Sequence, residues 1–383
     1  RLMLARARAT FDRVRARASF GRHEWKVPAP SHSARVLAIY PSEYIGVSVS
    51  TRRAFESAMP ISPNVLLSRR ACESLCDAIE AAAPSVLVLS GFVDGYGDFA
   101  KCLKARRPDI SIMVLWHGTP IQLRDPDERR QYDVVISLLR SGVISRIGTF
   151  KTGEAAALVE RGIDAMDVFN PPPAGAPNVS AGRVIERRRG VLSVGMFSAG
   201  PSWRKNPYAM IAAASRAENV EIYGVLDPAA QSYARSLGLK LASVREHTWT
   251  SEEMAAVSGR LDLNLYVSLS ECSPLFPIES LHAGIPCLIG ATSHLFLGSP
   301  LLFEETDARE VRDAAADAAK TLEGLVVSRA DDPGAICDAI ERVEANSVEI
   351  MSAYRVWCEP YRRAADASLG RLVGTPLTAG SNL

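Results

Sequence analysis

The chain has 383 residues, with 44 Lys or Arg against 43 Asp or Glu and 47% hydrophobic residues, the profile of a globular protein with room for two domains. A net charge of +1 excludes a protein that grips nucleic acid through overall charge, and no apolar run approaches the roughly 20 residues that span a bilayer. The seven scattered cysteines (72, 76, 102, 272, 287, 337 and 358) complete no Cys/His ligand set, so they are expected as thiols in a reducing cytoplasm rather than as zinc ligands.

The chain opens at Arg1 with no secretory-signal pattern. Residues 1–26 carry eight Lys or Arg against Asp12 and Glu24. On a helix of about 100° per residue, Met3, Leu4, Ala7, Phe11, Val14 and Ala18 gather on one face, bordered by Arg6, Arg13 and Arg17 on one side and Arg1, Arg8 and Arg15 on the other. That pattern suits an interfacial helix over residues 1–20 on an anionic membrane. A helix packed on the domain, or a basic tail, has the same composition.

After the joint Pro28-Ala-Pro-Ser-His-Ser33, apolar runs alternate with helical patterns. Strands are predicted at Val36–Tyr40, Val86–Ser90 and Ile110–Trp116, with further strands at Asp133–Ser137 and Ile147–Phe150. Helices are predicted at Arg70–Ala83, closed by Pro84, and at Phe99–Arg106. Short apolar runs separated by helices of this length imply βαβ units and a parallel sheet. Asn170-Pro-Pro-Pro-Ala-Gly-Ala-Pro-Asn-Val-Ser cannot continue a helix or a central strand and marks a boundary. The pattern then restarts, with strands at Val191–Val194, Val220–Tyr223, Leu263–Val267 and Pro286–Ile289 and helices at Pro207–Arg216, Ala229–Leu237 and Ser251–Val257. The expected organisation is a basic segment (1–30), a Rossmann-like domain (31–170), a Pro-rich hinge (171–182), a second Rossmann-like domain (183–350) and a C-terminal helix (351–383) crossing back to the first. Two such doubly wound α/β domains joined by a hinge face each other across a cleft, where ligands of open sheets bind.

Three constellations fall at strand ends or helix starts. Ser198-Ala-Gly-Pro-Ser-Trp-Arg204-Lys205-Asn206-Pro207 follows the first strand of the second half, with Pro207 suited to the first helical position and Asn206 to the cap. Free N–H groups there, with Arg204 and Lys205 beside them, make a diphosphate site; a solvated basic turn has the same residues. Glu271-Cys-Ser-Pro-Leu-Phe-Pro-Ile-Glu279 places two acids around a helix start, followed by Gly284-x-Pro286 and an apolar strand. Such a pair can hold sugar hydroxyls, with the amides of Leu275 and Phe276 donating to sugar or phosphate oxygens. Two solvated helix-end acids would look alike. Trp116-His117-Gly118-Thr119-Pro120 puts a His at a strand end, with Gly118 allowing close approach of a ligand; the alternative is a His hydrogen-bonded within a turn. Softer acceptor-side candidates are Ser42-Glu43-Tyr44-Ile45-Gly46 and Asp94-Gly-Tyr-Gly-Asp98. Asp125-Pro126-Asp127 is an Asp-x-Asp of the kind that binds a divalent metal, set in a charged run, and the phosphate turn in the second half argues against that role.

Residues of about 165 to 300 resemble the retaining GT-B glycosyltransferases of the group-1 type, glycosyltransferase family 4. The likeness is carried by Val168-Phe-Asn170, the Arg204-Lys205 turn, Val220-Glu-Ile-Tyr-Gly224, and Glu271 through Pro286. The resemblance implies that Lys205 and Arg204 hold the donor diphosphate, Glu271 the donor sugar hydroxyls and Glu279 the ribose. It further implies that Tyr223 and Gly224 line the nucleotide pocket and that His117 orients or polarises donor or acceptor. His117, Glu271 and Lys205 are thus the catalytic set, with no metal and no cofactor beyond a UDP- or GDP-linked sugar. Met196 stands where many members carry an Arg, and Ser273-Pro274 replaces the usual Phe-Gly. The implied activity is transfer of a hexose-like sugar, with retention, to a glycan or lipid-linked acceptor in bacterial cell-surface polysaccharide assembly. The implied place is the cytoplasm or the inner face of the membrane. A non-catalytic GT-B module that binds a glycan or partner, and a sugar-nucleotide epimerase, are the alternatives; a phosphorylase lacks a candidate cofactor lysine.

Overall fold

The computed structural model describes residues 25–29, 35–62, 65–178, 190–197, 202–249, 251–297 and 309–374. The expected basic helix over 1–20, the first residues of the phosphate turn (198–201) and residues 179–182 of the expected hinge lie outside the described residues. Two compact units emerge, one of Arg1–Asn170 with Ala365–Leu383 and the other of Pro171–Ala364.

The first unit is built on strands β1 (Val36–Pro41), β2 (Ala58–Ile61), β3 (Val86–Ser90), β4 (Ser111–Trp116), β5 (Arg146–Thr149) and β6 (Ala165–Asp167), in spatial order β2-β1-β3-β4-β5-β6. The second uses β7 (Leu192–Met196), β8 (Val220–Val225), β9 (Lys240–Arg245), β10 (Leu263–Tyr266), β11 (Cys287–Gly290) and β12 (Val327–Ser328), in order β12-β11-β10-β7-β8-β9. Every strand pair is parallel. Parallel strands need crossover connections and bury both faces, which is why β3 (Val-Leu-Val-Leu-Ser) and β10 (Leu-Asn-Leu-Tyr) are buried along their whole length.

Both orders reverse direction once. In the first unit β1 has β2 on one side and β3 on the other, and in the second β7 lies between β8 and β10. At such a switch point the loops leaving two neighbouring strands diverge and open a crevice beyond their carboxyl ends, the usual ligand position of open α/β sheets.

The helices follow their sequences closely where the apolar spacing is clear. In Arg69–Ala82 the buried Ala71, Cys72, Leu75, Cys76 and Ile79 repeat at three and four residues. Ala83 then turns left-handed (φ 50°), and Pro84, which cannot continue a helix, follows. The strand expected at Asp133–Ser137 is instead part of the helix Pro126–Arg140. The run Val134-Val135-Ile136 has strand-like composition, but the start signals upstream decide the outcome. The Asp125 carboxylate accepts from the Asp127 and Glu128 N–H groups, Pro126 takes the first helical position, and Val135 and Leu138 point to the core one turn apart. The same contacts give Asp125 a capping role, while Asp127 pairs with Arg130 at 3.2 Å. Among the described residues no group of three or more His, Cys, Asp or Glu side chains is arranged to hold a metal ion.

The long helix Ser347–Val373 stacks Tyr354, Trp357 and Tyr361, all fully buried, within the second unit. Its last residues belong to the first unit, where Ser368 Oγ accepts the Phe169 N–H at 3.2 Å. No disulfide joins any of the seven cysteines, and among the described residues no helix is long and apolar enough to cross a membrane.

Candidate functional site

The switch point of the second unit gathers the residues with the most chemistry. β7 leads into the short 3-10 turn Trp203–Lys205, Asn206 follows with φ 55°, and the helix Pro207–Ala214 begins with Pro207 at its first position. Asn206 does not cap that helix through its side chain, as its position had predicted. Its amide donates to Val267 O at 3.1 Å and to Ala330 O, tying the turn to the loops after β10 and β12. The Leu269 N–H donates to Arg204 O at 2.8 Å, and Arg204 Nη1 donates to Ser270 O at 3.0 Å. The loops that leave β7 and β10 are therefore stitched together along their length.

Lys205 is the centre of this stitching. Its Nζ lies 2.5 Å from Glu271 Oε1 and 2.5 Å from the Tyr266 hydroxyl, and 4.7 Å above the centroid of the Tyr266 ring. Lys205 is 8% exposed and Glu271 7%, so this is a buried ion pair at a strand end, and it keeps its charges only because they neutralise each other. Burial and the Glu271 charge hold the Tyr266 hydroxyl well above its ordinary pKa, so it stays protonated. Burial, then the same carboxylate, pushes the neighbouring Cys272 thiol up to about 11, which makes it a poor nucleophile.

Pro274 is extended (φ −68°, ψ 130°) and opens the helix Leu275–His282. Leu275 and Phe276 occupy its first two positions, where N–H groups have no partner inside the helix. The Phe276 ring stands 5.5 Å from Tyr266 and 6.0 Å from Phe197, roofing the same end of the sheet. Glu279 lies further along this helix and is half-buried. Tyr223 and Gly224, on β8, have packing duties. Tyr223 sits in an apolar cluster with Phe197 and Trp249, and its hydroxyl donates to Glu221 Oε1 at 2.9 Å. Gly224 (φ 145°) runs so close to β7 that a Cβ would stand 2.1 Å from Met196 O. Its own carbonyl accepts the Trp249 Nε1–H at 3.1 Å.

In the first unit His117 follows β4 and is held by a directional chain. Thr51 Oγ1 donates to Val47 O at 2.7 Å, so it must accept from Ser90 Oγ at 2.6 Å; Ser90 Oγ, its hydrogen used, accepts from His117 Nε2 at 3.0 Å. The imidazole is therefore the Nε2–H tautomer, with Nδ1 as its acceptor nitrogen. Burial pushes its pKa down to about 3, so it is neutral at physiological pH. The His117 and Phe150 rings are 4.5 Å apart. Gly118, expected to admit a ligand, is needed for packing, because a Cβ there would meet Trp116 Nε1 at 2.9 Å.

The softer candidates fare differently. Glu43 accepts from Ser62 Oγ at 2.9 Å at the mouth of β1, next to the exposed Tyr44 and Ile45. Tyr96 is fully buried and Asp94 pairs with Arg130 at 2.7 Å, so Asp94 to Asp98 is an element of structure. Tyr266, Ser90 and Thr51 had not been singled out from sequence. The only local signal for them is a hydroxyl at or just beyond the carboxyl end of a buried strand, or in the helix that follows one.

No protein-family model matches the chain, and no curated protein matches it in sequence. Among solved structures it is similar to the UDP-forming α,α-trehalose-phosphate synthase from Burkholderia xenovorans in complex with glucose-6-phosphate, at 11% identity and a TM-score of 0.56 over 88% of this chain and 98% of that one. It is also similar to sucrose-phosphate synthase from Thermosynechococcus elongatus, at 13% identity and a TM-score of 0.53 over 82% and 80%. The lipopolysaccharide outer core galactosyltransferase WaaB, in its apo form, matches at 13% identity and a TM-score of 0.52 over 88% and 99%. At these identities the likeness is one of fold. The chain has the GT-B fold, two Rossmann-like α/β units in series.

Proposed function

We propose that this chain is a glycosyltransferase that takes a hexose-like sugar from a UDP- or GDP-linked donor and passes it, with retention and without a metal, to an acceptor hydroxyl. One observation carries the reading. Lys205 and Glu271, a cation suited to a diphosphate and an acid suited to sugar hydroxyls, meet at the topological switch point of the second unit. The acceptor oxygen bonds to the anomeric carbon as the bond to the diphosphate breaks, on the same face, and the acceptor proton leaves with the diphosphate. Lys205, Arg204 and the start of the helix Pro207–Ala214 stabilise the charge that develops on the leaving group. Glu271, Glu279 and the amides of Leu275 and Phe276 hold sugar and ribose, Tyr223 and Gly224 border the nucleotide, and neutral His117 orients a reacting hydroxyl.

The acceptor we favour is a glycan or lipid-linked sugar of bacterial surface-polysaccharide assembly, met at the cytoplasmic face of a membrane through residues 1–20. A sugar phosphate is the second acceptor class to try, because one of the similar structures holds glucose-6-phosphate. A thermal-shift panel of UDP, GDP and their hexoses tests the donor, since a ligand of the native state raises the melting temperature. Transfer from the stabilising donor to these acceptors, and its loss in Glu271→Ala, is expected. No stabilisation and no turnover with any donor would favour a non-catalytic binding module, and unchanged liposome binding after removal of residues 1–20 would remove the membrane role.

A further inference from the structure

Resting on the donor-site reading, a further inference concerns how the site selects its ligand. Lys205 and Glu271 are assigned to different parts of one donor, the diphosphate and the sugar, yet in this structure they bind each other at 2.5 Å in a place almost closed to water. Arg204 is turned to Ser270 O at 3.0 Å, and the Tyr266 hydroxyl accepts from the same ammonium as Glu271 does. The protein therefore holds its phosphate cation and its sugar acid in one mutual contact.

We propose that the Lys205–Glu271 pair is a specificity-determining exchange contact, which yields to a ligand only when that ligand brings an anion for Lys205 and hydroxyls for Glu271 together. A diphosphate oxygen that draws the ammonium away leaves the carboxylate buried without its cation, a state that is strongly unfavourable. Hydroxyl donors at the same spot satisfy the freed carboxylate and remove that penalty. Tyr266 is the fixed point of the exchange. Its ring lies under Nζ and its protonated hydroxyl accepts one ammonium hydrogen, so Lys205 keeps its place while its second partner changes. The site then discriminates intact sugar nucleotides from the free nucleoside diphosphate that the reaction releases, which assists product release.

Calorimetric titration of the full chain with UDP, GDP, UDP-glucose and GDP-mannose tests this, using the wild type and Glu271→Gln, with melting curves as a check on folding. The neutral amide competes weakly for the ammonium, so free UDP or GDP is expected to bind the variant about tenfold or more tightly than the wild type, and the preference for the sugar nucleotide is expected to collapse. Equal or weaker diphosphate binding by a folded variant overturns the exchange while leaving the donor site standing. Absence of binding by every nucleotide to both proteins overturns the donor-site reading and the exchange with it. Should the variant fail to fold, the wild type decides: its sugar nucleotide must bind about tenfold or more tightly than the matching diphosphate, and equal affinities overturn the proposal.

Discussion

Asn264 and Gly195 sit opposite each other on β10 and β7, and a Cβ on residue 195 would stand 1.9 Å from Asn264 Oδ1. The Asn264 amide lies in that space and donates to Ser280 Oγ at 2.7 Å, and Ser280 donates in turn to Ile285 O at 2.8 Å. Glycine at 195 thus lets one buried side chain join the switch-point strands to the helix that carries Glu279. Gly195→Ala is expected to lose about 1–3 kcal/mol by overpacking, or more if the Asn264 bond breaks. The urea midpoint of unfolding measures this, and an unchanged midpoint would show that the strands part easily.

The buried pair at Lys205 predicts non-additive stability. Lys205→Met leaves Glu271 without its cation and should cost about 3–5 kcal/mol. Adding Glu271→Gln removes the stranded charge, so the double variant should be more stable than Lys205→Met alone, although neither transfers sugar. Urea unfolding of the two single variants and the double variant measures the coupling. A double variant no more stable than Lys205→Met would mean that the pair contributes little as a pair.

The relay behind His117 predicts an effect on turnover rather than on donor affinity. Thr51→Val and Ser90→Ala remove the acceptors that fix the Nε2–H tautomer. Turnover should fall by about 10- to 100-fold with nucleotide affinity unchanged. Because burial depresses the His117 pKa to about 3 from 6.5, the folded state binds fewer protons than the unfolded state between these values. This contribution to stability is present above pH 6.5 and is lost as the pH falls toward 3. His117→Gln should flatten that acid-side slope, as read from urea midpoints between pH 4 and 7.

Much of this architecture could be read along the chain, and the exceptions share a cause. Val86–Ser90 is a short apolar run, flanked by helices of ordinary length, so its strand character is local information. β9 is half-exposed Lys-Leu-Ala-Ser-Val-Arg at the sheet edge, with no apolar run to mark it. The residues 133–137 show a strand-like triplet overruled by a cap placed eight positions upstream, at Asp125. At the site, Lys205 and Glu271 stood out by type and by their place after strands. Their mutual contact spans 66 positions, and Asn206 reaches Ala330 across 124, distances over which no local pattern acts. Tyr266 was hidden for the same reason, since an aromatic at a strand end is ordinarily core.

Glu154 provides a test of opposite sign to His117. It opens the helix Glu154–Val159 just beyond β5, beside Asp167, whose carboxylate accepts from Thr149 Oγ1 at 3.2 Å and from the Gly153 N–H at 3.0 Å. Burial first, and then the Asp167 charge, pushes the Glu154 pKa up to about 7 from 4.5, against a hydrogen bond from Tyr132 that favours the carboxylate. The folded state therefore binds the extra proton, so the contribution is fully present below pH 4.5 and is lost as the pH rises through 7. A shift of this size in a partly buried group corresponds to about 1–3 kcal/mol. Glu154→Gln, a permanently neutral isostere, should remove this decline and be more stable than the wild type above pH 7 by a similar amount. Paired urea titrations at pH 5 and pH 8 decide the matter: equal differences between variant and wild type at both values would mean that Glu154 is already ionised throughout.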